Sequence, residues 1–486
     1  MYKRPCDLCA RNMIAEYSGD GVYSVYCYEC WWSDNWNPLD YGVDIDFSRP
    51  LFEQFGGLTK EVPLIGLWGW GNVNSEYSNY VANCKNTYLS FSALEGEDVY
   101  YSFAVDKSKF VFDSYLTNHS ELCFENTNTA RCYAVSFAIN SRDCINSKFI
   151  FDCVNCQDCF LSSNLRNKRY YIRNKPYSKE EYYRQMNEIN LGSSHVLSQI
   201  KREFFEMAGK SLNRYASIVN STNCNGDEIT NSKNISNSFL INSGENLKNC
   251  YRVVSDVTNS QDITGGLKSD LVYEGSVAAS GNYLVRFFSK FKESKESSYC
   301  LLGSSSSHLF ACVGLRNKQY CILNKQYTKE EYEVLVPKII QHMNDMPYVD
   351  TKGRKYAYGE FFPPELSPFA YNETIAQEYF PLTKEEAIAQ GYRWRDPDTK
   401  NYQVTKTPDD LPDHIKDVED SITKEVIGCF HSTGSWQATQ GTCNHQCTTA
   451  FKIITQELQF YRQMNLPLPR LCPTADTTNA SNNVTP

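Results

Sequence analysis

Part of this 486-residue chain occurs twice, and that repetition limits its possible folds more than any other feature. Leu165-Arg166-Asn167-Lys168, followed by Tyr170, Ile172, Asn174-Lys175, Tyr177 and Lys179-Glu180-Glu181-Tyr182, returns 150 positions later. The second copy reads Leu315-Arg316-Asn317-Lys318, Tyr320, Ile322, Asn324-Lys325, Tyr327 and Lys329-Glu330-Glu331-Tyr332. Thirteen of the eighteen positions from 165 to 182 match their counterparts. Upstream of each block runs a shorter rhythm. Tyr88, Tyr100, Phe112 and Phe124 are twelve residues apart, and Phe137, Phe149 and Leu161 continue the beat after one inserted residue. In the second copy Phe239, Tyr251, Ile263, Phe287 and Tyr299 keep the spacing, with Gly275 as the missing beat.

A constant short period means stacked structural units that bury their apolar positions against one another. Between the beats lie Asn, Ser, Asp and Gly, which favour turns. The runs around them, such as Tyr88-Leu89-Ser90-Phe91, suit strands and lack a helical period. The expected fold is therefore mainly β with helical caps: two tandem β-solenoids, or β-helices, with a turn of either twelve or twenty-four residues. Cys132, Cys144 and Cys156, and later Cys300 and Cys312, follow the same rhythm. The spacing Cys153, Cys156, Cys159 is similar to iron–sulfur motifs. On a coil, however, Cys156 continues the ladder, where a thiol is a small core hydrophobe.

Ser178-x2-Glu181, Thr328-x2-Glu331 and Thr383-x2-Glu386 are capping boxes that start helices. A helix after each solenoid would close its exposed end. The boundaries read from these signals are 1–45 for an N-terminal zinc ribbon and 46–82 for a connector. The first solenoid is 83–177 with a helical cap over 178–215, and the second is 216–327 with a cap over 328–347. A Pro-rich, partly helical linker spans 348–425, a degenerate zinc-ribbon-like domain spans 426–474, and a disordered tail spans 475–486.

The strongest local signal is Cys6-x2-Cys9 followed by Cys27-x2-Cys30. Each pair offers two thiolates from one tight knuckle, and two knuckles complete a tetrahedron around zinc. Four protein ligands leave no open position, so such a site is structural. Tyr17 to Tyr26, around Gly19-Asp20-Gly21, reads as a hairpin between the knuckles. Trp31, Trp32 and Trp36 follow, either as a binding surface or as packing for the small domain. Near the other end, Cys443, Cys447 and Cys472 make a second zinc candidate, with Cys429, His431 or His445 available as a fourth ligand.

The twenty cysteines come without a recognisable export signal and include metal-type pairs, which points to a reducing, cytoplasmic setting. No run of apolar residues is long enough for a transmembrane helix. A net charge of −9 disfavours nucleic acid, although Arg166, Lys168, Arg169, Arg173 and Lys175 form a basic patch.

Residues 443 to 472, with Phe451, Glu457, Phe460-Tyr461 and Leu466-Pro467-Leu468-Pro469-Arg470, resemble a zinc-binding domain of the treble-clef kind. Here CxxxC replaces the first CxxC, and Ala475 stands where the fourth Cys would be. More broadly, Tyr28-Glu29-Cys30-Trp31-Trp32-Ser33-Asp34, Lys85 to Phe91, the two Leu-Arg-Asn-Lys blocks and Tyr358 to Thr374 resemble an uncharacterised family of large zinc-ribbon proteins. That family comes mainly from small-genome uncultured bacteria. The resemblance implies the architecture and no activity.

There is no Gly-rich phosphate loop, GxSxG or HExxH. The sequence supports a zinc-binding structural or interaction protein that presents solenoid faces to a protein partner. One alternative is an enzyme with a solenoid-groove site, carbohydrate-active or a transferase. A second is nucleic-acid binding through the zinc ribbons.

Overall fold

The computed structural model describes residues 1–396, 402–430 and 447–473. Large parallel sheets dominate it. The chain divides into two compact units: Met1–Leu67 with Arg214–Asp396, and Trp68–Asn213 with Pro397–Pro486. The N-terminal cysteines thus share a unit with the second repeat, and the C-terminal cysteines share one with the first.

Each turn of the first coil takes twelve residues. Lys109 pairs in parallel with Glu97 before it and Glu121 after it, and Phe112 pairs with Tyr100 and Phe124. Twelve residues close a turn because every third one is left-handed. Ala104, Lys107, Phe110, Asp113, Leu116, His119, Leu122 and Glu125 all have φ between 45° and 58°. Four such corners join four short sides. A left-handed L-residue costs roughly 1–2 kcal/mol, least for Asn and Asp. Asn and Asp accordingly recur at corners and hydrogen-bond up the stack: Asn86 Nδ2 donates to Asp98 Oδ1 at 2.9 Å, and Asn155 to Asn167 at 2.7 Å.

The residue after each corner points inward. Val105, Ser108, Val111, Ser114, Thr117, Ser120 and Cys123 are all buried. The interior holds mostly small side chains, with Ile150 among the larger ones, and its hydroxyls have a defined task. Ser102 Oγ donates to Tyr100 O at 2.8 Å and accepts from Ser114 N, one coil on, at 3.1 Å. Ser108 Oγ does the same between Asp106 O and Ser120 N. Thiols take the donor role: Cys144 Sγ reaches Arg142 O, Cys153 Sγ reaches Phe151 O, and Cys156 Sγ reaches Val154 O. The ladder cysteines are thus core donors. Among the described residues, Cys153, Cys156 and Cys159 do not gather into a metal-holding group.

The aromatic beats lie outside this interior. Tyr88, Tyr100, Phe112 and Phe124 share one outward column, as their spacing predicts. The expected inserted residue after Phe124 is absent. Phe124 pairs with Ser136, so Phe137, Phe149 and Leu161 occupy the adjacent left-handed corner column. The exposed face of this ladder is covered by two helices. Ser194–Lys210 places Phe204 against Phe149, with centroids 5.7 Å apart, and Thr455–Met464 places Phe460 on Phe112.

Helices therefore cover the coil's side, and a hairpin closes its end. Arg173 and Asn174 are both left-handed, which folds Lys175 back antiparallel to Ile172. Leu323 and Asn324 repeat this at Ile322 and Lys325. Two consecutive left-handed residues define the tight hairpin turn whose twist matches its strands. Lys179–Glu188, Lys329–Asp345 and Lys384–Ala389 are helices started by Ser178, Thr328 and Thr383; the reciprocal box forms at Thr328 and Thr383, while at Ser178 the cap is the hydroxyl accepting from Glu181 N.

In the second coil, one-residue bulges break the numerical rhythm. Phe239 pairs with Tyr251, Ile263 with Gly275, and Phe287 is one coil from Tyr299, but these pairs lie in three different columns. The offset rises to thirteen at Gly244–Val257 and again at Asp270–Tyr283. Gly275 is an interior position directly before Phe288. A Cβ there would stand 2.1 Å from Phe288 Cε1, so the glycine makes room for an interior ring. Gly303 does the same for Phe291.

Three expected boundaries change. The 46–82 connector contains the helix Leu51–Glu61, whose Phe52 meets Tyr299 at 5.2 Å. The first coil already begins with Gly69–Trp70, paired to Val81–Ala82. The 348–425 linker is two packed pieces on either side of 397–401, which lie outside the described residues. In the first unit Phe362 stacks on Phe55, and in the second Leu411, Ile415, Val418 and Ile422 join the core. The tail from 475 also lies outside the described residues.

Candidate metal centres

The N-terminal site is built on a hairpin, though not where the glycines suggest. Tyr2–Pro5 pairs antiparallel with Asn12–Ala15, and Cys6 and Cys9 stand in the loop between them. Ala10, left-handed at φ 59°, turns its N–H onto Cys6 O. The second pair follows Val25–Tyr26, which runs parallel to Leu64–Ile65 instead of folding on Gly19-Asp20-Gly21. Cys27 then caps the short helix Tyr28–Trp32. Asp7 links the two knuckles: its carboxylate accepts from Arg4 Nη2 and from Val25 N, both at 2.7 Å.

This brings the sulfurs of Cys6, Cys9, Cys27 and Cys30 within 4.8 Å of one another, a group that could hold a metal ion. Burial alone would raise the Cys6 thiol. Three backbone N–H groups, those of Cys27, Cys9 and Leu8, face it and draw its pKa down to about 7. Burial pushes the Cys27 and Cys30 thiols up. Packed sulfurs without a cation cannot all carry charge, and a bound cation would remove that conflict.

The tryptophans after Cys30 are packing. Trp31 is wholly buried and donates to Pro63 O at 3.1 Å, and Trp36 donates to Trp31 O at 2.9 Å. Arg316 of the second repeat enters this cluster. Its guanidinium carbon lies 5.1, 5.8 and 5.1 Å from the rings of Trp31, Trp32 and Trp36, and Nη1 donates to Trp31 O at 2.6 Å. Its twin Arg166 instead pairs with Asp152 at 2.7 Å. The shared block therefore does different work in its two copies.

At the other end, Ile427–Gly428 pairs antiparallel with Ala450–Phe451. This brings Cys429 beside Cys447 and Cys472, with all three sulfurs within 4.8 Å of one another. Backbone N–H groups point at them: Cys472 N to Cys429 Sγ at 3.3 Å and Thr449 N to Cys447 Sγ at 3.3 Å. Cys447 and Cys472 are in the group expected from sequence. Cys443, with His431 and His445, lies outside the described residues, and Cys429 supplies the third sulfur.

A carboxyl group that sequence reasoning did not interpret joins this segment to the first coil. Glu457 is buried and accepts from Tyr461 Oη at 2.9 Å, Tyr101 Oη at 3.1 Å and Ile454 N at 3.3 Å. Burial raises its pKa to about 7 despite these donors. Its position three residues into the Thr455–Met464 helix was the available signal.

No family model and no curated protein matches the chain. One solved structure that it resembles, a Desulfovibrio desulfuricans G20 protein assigned as an acetyltransferase, is 10% identical. The match covers 59% of this chain and 84% of that one, with a TM-score of 0.12. A likeness at that level carries no argument about fold or activity. No helix among the described residues is long and apolar enough to cross a membrane.

Proposed function

We propose that the chain is a zinc-binding structural or interaction protein whose two coils present repeating faces to a protein partner in the cytoplasm. The observation that carries this reading is the convergence of Cys6, Cys9, Cys27 and Cys30 within 4.8 Å. An all-thiolate set of four suits zinc and closes its coordination shell, leaving no place for a substrate. Zinc there would neutralise the thiolates and hold the two knuckles together. Cys429, Cys447 and Cys472 support a second ion in a zinc-ribbon-like or treble-clef-like segment. The outer columns of the second coil suit recognition: Asn234, Asn246 and Asn259 form an amide ladder at 2.9 and 2.8 Å steps. Purified full-length protein should contain at least one zinc per chain by elemental analysis. Its absence, or full retention by Cys9→Ala, would refute the reading.

A further inference from the structure

The two coils have four ends, and three of them are closed. Hairpins that fold Lys175 back on Ile172 and Lys325 back on Ile322 shut both C-terminal ends. At the start of the first coil, Asn72 Nδ2 donates to Val81 O at 2.8 Å and Oδ1 accepts from Cys84 N at 3.0 Å. The next interior residues there, Ser75 and Ser78, are buried. The start of the second coil has no such cover. Its interior columns open with Ile218, Ser221 and Cys224, which stack on Ile229, Ser232 and Ile235. The second layer is buried, whereas in the first Ile218 is 39% exposed and Ser221 and Cys224 are half-buried.

The strand Ile218–Val219 pairs with the next coil and with no other strand among the described residues. Ile229 N donates to Ser217 O and Asn231 N to Val219 O, so the N–H and C=O of Ile218 between them face the open side. Such an edge is a template for pairing, which proteins usually block with charge or proline. Residues 215–226, a full turn, contain neither, in a chain that is 22% charged.

We propose that this end pairs with the same end of a second copy of the chain, strand against strand and antiparallel, around a two-fold axis. Ile218, Ser221 and Cys224 lie on successive sides of the turn, so one added strand would cover a single side and leave the others wet. The cover has to be a coil of the same four-sided section with its own open end. Among the described residues, only this end in another copy meets that requirement. A two-fold axis across the coil reverses its winding, so every facing side runs antiparallel. The turn itself brings no charge to the seam, which lets two chains of net charge −9 meet there. Assembly stops at two, because the closed C-terminal ends offer no edge for further stacking. A coil end is small beside the ~800 Å² that each partner gives to a typical interface, so the expected affinity is micromolar.

Sedimentation velocity of the full-length protein from ~1 to ~100 µM should show a monomer–dimer equilibrium. Val219→Lys and Thr222→Lys place a charge on two different sides of the open turn, each just before a left-handed corner and outside the interior columns. Each is expected to weaken dimerisation at least tenfold, with zinc content and far-UV spectrum unchanged. Val73→Lys, at the equivalent exposed position in the first turn of the other coil, should leave dimerisation unchanged. A monomer throughout the range, a dimer that survives both lysines, equal loss in Val73→Lys, or growth past two copies would overturn the proposal. None of these outcomes bears on the zinc sites, whose occupancy is measured on the same samples.

Discussion

Phe460 lies face to face on Phe112, ring centroids 3.7 Å apart and planes 15° from parallel. The first ring belongs to the C-terminal cysteine segment and the second to the first coil. The same helix brings Glu457 to Tyr101 and Tyr461 to Phe124. The outward aromatic ladder is thus the seat on which this segment sits.

Removing that ring should be costly. Phe460→Ala leaves a cavity beside Phe112 and Phe124, and buried Phe→Ala changes cost about 3–5 kcal/mol. Denaturant unfolding should show a loss of that size. A loss below about 1 kcal/mol would mean the ladder does not anchor the helix.

Glu457 should make stability depend on pH. Its carboxyl titrates near 7 when folded, against an ordinary 4.5. A raised acid pKa means the folded state holds the proton more tightly. Stability from this group therefore falls as pH rises from 4.5 to about 7 and is flat above. The shift corresponds to about 3 kcal/mol. Glu457→Gln should melt close to the parent at pH 4.5 and above it at pH 8. A gap between the two that stays constant across this range would contradict the assignment.

Metal removal should be local first. Cys9 is exposed, so Cys9→Ala removes a ligand without emptying the core. The variant should lose one tightly held metal equivalent and become open to proteolysis between Tyr2 and Tyr41. The Thr222–Phe310 coil should resist under the same conditions. Equal protection of the N-terminal segment in both proteins would count against a metal-held knuckle pair.

Gly275→Ala places a methyl group into the Phe288 ring. Overpacking of this kind costs roughly 1–3 kcal/mol. Phe288→Leu should relieve the clash, so the double variant should be more stable than the two single losses added together. Simple additivity would show that the two side chains do not compete for space.

Asn324 is buried and accepts from Val313 N, while its Nδ2 donates to Val313 O and Pro38 O, all at 2.8–3.0 Å. Asn174 holds Ser163 N in the first copy but is exposed. Asn324→Ala should cost about 3 kcal/mol from unmet buried groups and lost left-handed preference, and Asn174→Ala less. The reverse order would refute an end-closing role graded by burial.

The period of twelve was legible because every coil reuses the same corner. The left-handed corner was not, since Leu116, Phe110 and Tyr101 adopt it beside Asn128 and Asp98, and no propensity marks them. Aromatic spacing suggested a core, but the interior is too narrow for regular rings and is marked by Ser and Cys instead. The second-coil columns were misread because a one-residue bulge within Tyr251–Asp270 leaves the count of twelve intact between Tyr251 and Ile263 while moving one of them inside. Cys6, Cys9, Cys27 and Cys30 were readable from short spacing alone. Cys429 was harder to place, being brought to Cys447 by a strand pair of two residues a side.

Because side chains fill the centre of each coil, hydroxyls, thiols and small apolar groups in the first and also the Phe288 and Phe291 rings in the second, nothing can thread it, and the surface columns behave as a graduated scale. Their marks recur at the strand spacing of about 4.8 Å. A rigid ligand with a different repeat falls out of step after one or two marks. A flexible one can correct its phase from mark to mark, so longer engagement along these faces favours pliable chains over stiff ones.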